Sequence, residues 1–189
     1  MPPAPDPPAA VDRAALRAEM EQARHDFRRL AGDATPADLR RPSDGTKWTN
    51  QQLLFHMLFG YLIVRTLLIL MRIGSRLPRP VGRGFARPLD SAARPFNTIN
   101  YWGSCLGARI INRRRMGRRL DAVIASLHRR LDREDDSTLQ RSMPYPARWD
   151  PYFADVMARA DLYRYGTQHY DHHRRQLTLA ATSTNPPVQ

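Results

Sequence analysis

The sequence predicts an all-α fold: a four-helix bundle with a long insertion between its second and third helices. Three observations carry this reading. Apolar residues recur at helical spacing in four long stretches, strand-type alternation is scarce, and 189 residues leave room for one domain. Hydrophobic residues make up 42% of the chain, enough for a buried core and too many for a disordered polymer.

The first helix is expected over about Val11–Leu30, where Leu16, Met20, Ala23, Phe27 and Leu30 form one stripe. Gly32 and Asp33 are a stop, and the turn formers of Gly32–Lys47 make a connection. The second helix starts at Thr49 or Asn50, either of which can cap it, and continues to Arg72. Its stretch Met57–Met71 is short of the ~20 apolar residues a membrane span needs and has Arg65 in its middle, so a buried bundle helix is the favoured reading.

The third helix is centred on residues 106–132. Leu106, Ile110, Leu120, Ile124, Leu127 and Leu131 fit one face, with Arg113, Arg114, Arg115, Arg118 and Arg119 off it. The fourth begins near Asp150–Pro151, a cap followed by proline, and runs to about Ala181. Phe153, Met157, Ala160, Tyr163, Thr167, Tyr170 and Leu177 can share its inner face. The Pro-rich residues 1–10 read as a disordered lead-in without the features of a secretory signal. Residues 11–181 read as the single domain and 182–189 as a flexible tail.

The insertion, residues 74–104, is broken by Gly and Pro and lacks clear periodicity. It is longer than the ~2–8 residues that close an antiparallel helix pair. Phe85, Phe96, Tyr101 and Trp102 stand in it among Arg83, Arg87 and Arg94, a mixture that suits the mouth of a pocket. The expectation is a lid or side wall over a functional site; the rival is a surface that pairs with another subunit or lies on lipid.

Charge is concentrated around the same region. The net charge of +12 is nearly all in residues 72–119, which hold twelve Arg against the single acid Asp90. Codon bias toward Arg accounts for such an excess as readily as a partner does. A non-enzymatic basic protein that binds nucleic acid or an anionic surface therefore stays as an alternative, although nucleic acid is not the expected partner. The lone cysteine, Cys105, excludes an internal disulfide and a CxxC metal site; it reads as a small buried residue at the start of the third helix.

Six histidines carry the remaining signal. His169 and His173, four residues apart, lie one turn apart on one helix face, the spacing at which two imidazoles can share a metal. His172 is a rival partner for His169. His56, in an apolar helix where an unpaired imidazole is costly to bury, is the candidate third ligand, against the plainer role of a hydrogen-bonded core residue. His25 and His128 are assigned to solvent.

Taken together the two regions are more specific. Trp48–Met57, WTNQQLLFHM, resembles the first metal motif of the DinB/YfiT-like superfamily, and His169–Leu177, HYDHHRRQL, resembles its second. The resemblance implies an up-down-down-up four-helix bundle with His56, His169 and His173 as metal ligands; His172, about 100° round the helix from His173, is expected to point away. Arg175 stands where the family motif usually has Gly, and the long 74–104 connection is not a constant part of the pattern.

Three imidazoles with an open position make a catalytic type of site, and zinc or nickel would suit nitrogen ligands. Asp171 and Gln176 are the nearby candidates to orient the imidazoles. The resemblance further implies a metal-dependent thiol S-transferase or thiol-dependent isomerase using a low-molecular-weight thiol such as mycothiol or bacillithiol. Its substrate would be an electrophilic small molecule, and its setting the cytoplasm. A hydrolase of the same fold is the enzymatic alternative, and a homodimer is compatible with either.

Overall fold

The structure, a computed structural model, describes residues 10–74, 93–145 and 150–179. The lead-in and the tail, apart from residue 10, lie outside the described residues. Seven helices and one two-stranded β-pair are seen among those described. Helix α1, Arg13–Asp33, opens on Asp12, whose carboxylate accepts from the Ala15 amide at 2.8 Å. It buries the stripe Leu16, Met20, Ala23, Phe27 and Leu30 read from its spacing. A short α2, Pro36–Arg40, sits in the following connection with a Thr35–Asp38 capping box.

Helix α3, Asn50–Gly74, is capped by Thr49: the Gln52 amide donates to Thr49 Oγ1, and the Thr49 amide to Gln52 Oε1. Asn50 has a different task. It is fully buried, and its Nδ2 donates to the Asp38 carbonyl (2.8 Å) and to Thr178 Oγ1 (3.0 Å), while its Oδ1 accepts from the Thr178 amide (3.0 Å). The start of α3 is thereby tied to the segment that follows the last helix. By length and apolarity, Asn50–Arg72 is able to cross a membrane. In the fold, Leu53, Leu54, Met57, Leu58, Tyr61, Val64, Leu68 and Met71 are buried, as in the central helix of a bundle, and Arg65 is exposed.

The chain continues with α4, Ala93–Ile110, α5, Arg113–Leu131, and the short α6, Asp136–Gln140. Strands β1, Ser142–Pro144, and β2, Val156–Ala158, pair antiparallel with Met143 opposite Met157, and α7 spans Arg159–Arg174. Side-chain contacts give the helix directions. Arg13 Nη1 reaches the Leu131 carbonyl and Arg28 reaches Asp121, so α1 and α5 are antiparallel. Tyr61 meets Thr167 and Asn50 meets Thr178, so α3 and α7 are antiparallel. Asp26 accepts from Tyr170 and Arg174, and Glu19 shares a groove with Arg164, so α1 and α7 are parallel. The four pack in the ring α1–α5–α3–α7, the expected up-down-down-up bundle.

The insertion differs from its expected form. The part of it over 93–104 is helical and belongs to α4, which lies antiparallel against α3: Gln51 donates to the Ala108 carbonyl at 2.7 Å and His56 meets Ser104. Because α3 and α5 are parallel, the chain must travel back the length of the bundle between them, and α4 does this. The length of the connection is therefore a demand of topology. Arg83, Phe85 and Arg87, and the side chains of Arg94 and Phe96, lie outside what is described.

Four further readings are corrected. The third helix is not continuous over 106–132. The chain breaks at Ile111–Asn112, where Asn112 caps α5 by accepting from the Arg115 amide (3.0 Å), so Leu106 and Ile110 belong to α4 and are exposed. Arg113 does not face open water: its Nη1 donates to the carbonyls of Ala31, Gly32 and Ala34, which the end of α1 leaves without partners. The fourth helix spans Arg159–Arg174, and neither starts at Asp150–Pro151 nor runs on to about Ala181. Asp150 forms a single turn, accepting from the Tyr152 and Phe153 amides, before β2 intervenes. Cys105 falls in the middle of α4 and is half-buried.

The Asn50 network predicts that Asn50→Ala destabilises the fold by about 2 kcal/mol or more, since it strands buried partners on two segments. Chemical denaturation monitored by circular dichroism measures this; an unchanged midpoint contradicts the role given to Asn50.

Candidate metal centre

His56 lies on α3 and His169 and His173 lie on α7, the two helices locked together by Asn50 and by the Tyr61–Thr167 pair. One potential ligand atom from each of the three lies within 4.8 Å of those of the other two. Ring centroids are 4.5–4.8 Å apart. His56 and His169 are buried, and His173 is half-buried and opens toward solvent.

The outer nitrogens are held by the protein. His56 Nδ1 is 3.2 Å from Ser104 Oγ, whose own hydroxyl proton goes to the Asn100 carbonyl at 2.8 Å. Ser104 must therefore accept, and His56 carries its proton on Nδ1. His173 Nδ1 donates to Gln176 Oε1 at 2.7 Å, and Gln176 is itself positioned by its backbone carbonyl, which accepts from the Asp44 amide. Both Nε2 atoms are then lone pairs, and they face each other at 3.0 Å. Two lone pairs at that distance repel unless a cation or a proton lies between them.

Electrostatics point the same way. Burial, then His173, pushes the His56 pKa down to about 3. Burial, then His56 and His173, holds His169 well below the usual value. Burial, with His172 adding and the Gln176 hydrogen bond opposing, brings His173 to about 4. All three are neutral at pH 7, the state in which imidazole binds a metal. His169 Nδ1 is buried without a hydrogen-bond partner. A side chain on Gly60 would collide with that ring, so α3 carries glycine where the imidazole presses against it. The donor set and its fixed tautomers fit a divalent ion held by nitrogen.

A cavity of about 590 Å³ adjoins the histidines, lined by Lys47, Trp48, Thr98, Asn100, Tyr101 and Trp102. Trp48 stacks on His56 with centroids 4.3 Å apart, and Tyr101 stacks on Trp48 at 6.0 Å. Trp48 Nε1 is buried without a partner beside it, and the Asn100 side chain interacts with the His56 ring. Helix α4 thus supplies one wall of the cavity and, through Ser104, the partner of His56.

The remaining candidates fall as follows. His172 is held by the Tyr152 hydroxyl at 3.2 Å and is not one of the converging three. Asp171 is exposed and lines the α1–α7 groove, so Gln176 alone of the two suggested orienting residues serves that role. His25 is exposed as expected. His128 is not: it is half-buried, 3.4 Å from Glu21, with its pKa lowered by burial and its Nε2 unpartnered. Ser104, Asn100 and Gly60 were not singled out by sequence reasoning. Ser104 and Asn100 gave no periodic signal in a stretch read as a loop. Gly60 inside an otherwise continuous apolar helix was a visible sign of a close contact.

The sequence profile of the DinB superfamily matches residues 19–177, most of the chain, and the protein belongs to that superfamily. Comparison with curated proteins and with solved structures returned no match.

Two expectations follow. Gly60→Ala, a change that stabilises most helices by up to about 1 kcal/mol, should destabilise this one by about 1–3 kcal/mol because the His169 ring cannot move without leaving the cluster. Denaturant midpoints decide it, and a rise contradicts the packing described. The metal-free protein should also lose stability as pH falls. Unfolded histidine binds a proton below about 6.5 and the folded cluster does not, so the unfolded state gains protons from about 6.5 down to the folded values near 4 and 3. Each histidine contributes a slope of about 1.4 kcal/mol per pH unit in that window. Unfolding free energies between pH 4.5 and 7 measure the slope, and His56→Gln should flatten it.

Proposed function

We propose that this DinB-superfamily protein is an enzyme that holds one divalent ion, zinc or nickel, on His56, His169 and His173. The reaction it serves is transfer or isomerisation of an electrophilic small molecule with the help of a low-molecular-weight thiol. The observation that carries the reading is the meeting of three neutral imidazoles, two with tautomers fixed from outside, beside an aromatic cavity. An ion held there supplies Lewis acidity at an open coordination position and lowers the pKa of a thiol or water placed in it.

The protein's own contributions follow from its residues. Ser104 and Gln176 keep the protons on the outer nitrogens of His56 and His173, leaving the inner lone pairs free. Trp48 and Tyr101 form a flat apolar wall that excludes water and suits an unsaturated or aromatic electrophile. Asn100, whose side chain interacts with the His56 ring, adds a polar group to the wall, and Lys47 at the rim suits an anionic group. The family's thiol chemistry favours mycothiol or bacillithiol as co-substrate, and a reduced, cytoplasmic setting suits the free Cys105. A hydrolase remains the second reading; it differs in needing no thiol.

Protein purified without a histidine tag should carry about one equivalent of metal by elemental analysis. His56→Ala, His169→Ala or His173→Ala should each remove most of it, whereas His172→Ala should leave it near the parent value. Loss in His172→Ala with retention in His173→Ala reverses the ligand assignment. Ser104→Ala should weaken metal affinity by about 10–100-fold while leaving helicity intact. Turnover of test electrophiles that depends on added thiol supports the transferase reading, and equal turnover without thiol supports the hydrolase.

A further inference from the structure

We propose that the far end of the bundle holds a second, separate site, for a soluble compound bearing two or more linked phosphates. A cavity of about 560 Å³ lies there, lined by Arg72, Arg129, Arg130, Arg133, Arg141 and Arg159. The volume is in the range of small-molecule sites. Arg72 and His56 are about 24 Å apart along α3, so this cavity is distinct from the histidine cluster.

The charge balance is the central observation. Among the described residues, Glu134 is the only carboxylate lining the cavity, and it is fully engaged. Its Oε1 accepts from Arg130 Nε (3.0 Å) and Arg159 Nη1 (2.9 Å), and its Oε2 from the Tyr163 hydroxyl (3.3 Å). Of the others, Arg141 interacts electrostatically with Asp135, which does not line the cavity, and no ion pair is seen for Arg72, Arg129 or Arg133 among the described residues. Gathering that many cations around one concavity costs self-repulsion, which a bound polyanion relieves.

A second observation is independent of the count. Arg159 is only 4% exposed, and its Nε has no hydrogen-bond partner. A buried guanidinium with an unused donor is costly in a fold that needs it only for packing. Glu134 fixes Arg159 and Arg130 in place, and Arg130 Nη2 is further tied to the Leu68 carbonyl (2.8 Å). Two guanidiniums held by Glu134 together with four exposed arginines match a chain of phosphates, which offers oxygens in pairs. Ser126 and Thr138 add hydroxyl donors to the lining. The surplus of cations over one acid points to a polyphosphate group rather than a single carboxylate or orthophosphate.

Calorimetric titration of the full chain with orthophosphate, pyrophosphate and tripolyphosphate at ~0.15 M salt tests this. Affinity should rise along the series, with tripolyphosphate at least about tenfold tighter than orthophosphate and raising the thermal midpoint. The double variant Arg133→Gln/Arg141→Gln, both exposed, should lose about tenfold or more. Arg114→Gln/Arg118→Gln, at the other end of α5, should bind like the parent, and circular dichroism checks that both variants fold. No binding up to about 1 mM tripolyphosphate overturns the proposal. Equal loss in the two double variants does so too, since it marks diffuse basic charge. Binding confined to vesicles containing an anionic lipid, with none to soluble polyphosphates, assigns the cavity to a membrane surface and also overturns it.

Discussion

The protein is organised around one unfavourable arrangement: three uncharged imidazoles brought into contact between two helices, with the lone pairs of two of them aimed at each other. Burial keeps them neutral and shields His56 and His169 from water, and His173 is the one that opens toward solvent. What holds the arrangement is the α3–α7 interface. Asn50 and Thr178 lock one end of it, Tyr61 and Thr167 the middle, and Gly60 lets the His169 ring approach the α3 backbone. Ser104 and Gln176 complete it by taking the outer protons. A divalent ion that accepted these nitrogen lone pairs would relieve the repulsion and stabilise the packing, and the cluster could hold one.

Topology and site are linked through α4. A bundle in which the second and third core helices run in the same direction needs a return path, and α4 takes it along the flank of α3. That path brings Ser104 to His56 and places Asn100 and Tyr101 on the cavity wall. The same segment therefore closes the fold and builds half of the site, and a shorter link could do neither. At the opposite end, the α5–α6 turn and the start of α7 gather arginines around Glu134, giving the molecule two chemically unlike ends.

Much of this was legible in the sequence because it rests on periodicity. The α1 stripe Leu16–Leu30, the apolar α3 and the His169–His173 pair follow from spacing alone, and the two quoted motifs join His56 to them. The misreadings share a cause, which is that local signals are ambiguous about which tertiary partner uses them. Asp150–Pro151 has the chemistry of a helix cap, but the turn it starts is taken over by β2. Ile110 and Leu120 both fit a helical face, yet the Asn112 cap between them divides two helices with different neighbours. Arg113 looked like a solvated cation until the end of α1 presented three carbonyls to it. Ser104 and Glu134 gave no pattern at all, since a single polar residue acquires meaning only from what packs against it.

The central claim is that His56, His169 and His173 share one ion. Crystals of protein loaded with zinc or nickel, measured on both sides of that metal's absorption edge, test it most directly. The account predicts one anomalous peak within about 2.0–2.2 Å of a nitrogen from each of the three histidines, with Ser104 and Gln176 still on the outer nitrogens of His56 and His173. A peak that includes His172, or one that leaves His56 bonded only to Ser104 and outside the coordination sphere, would contradict it.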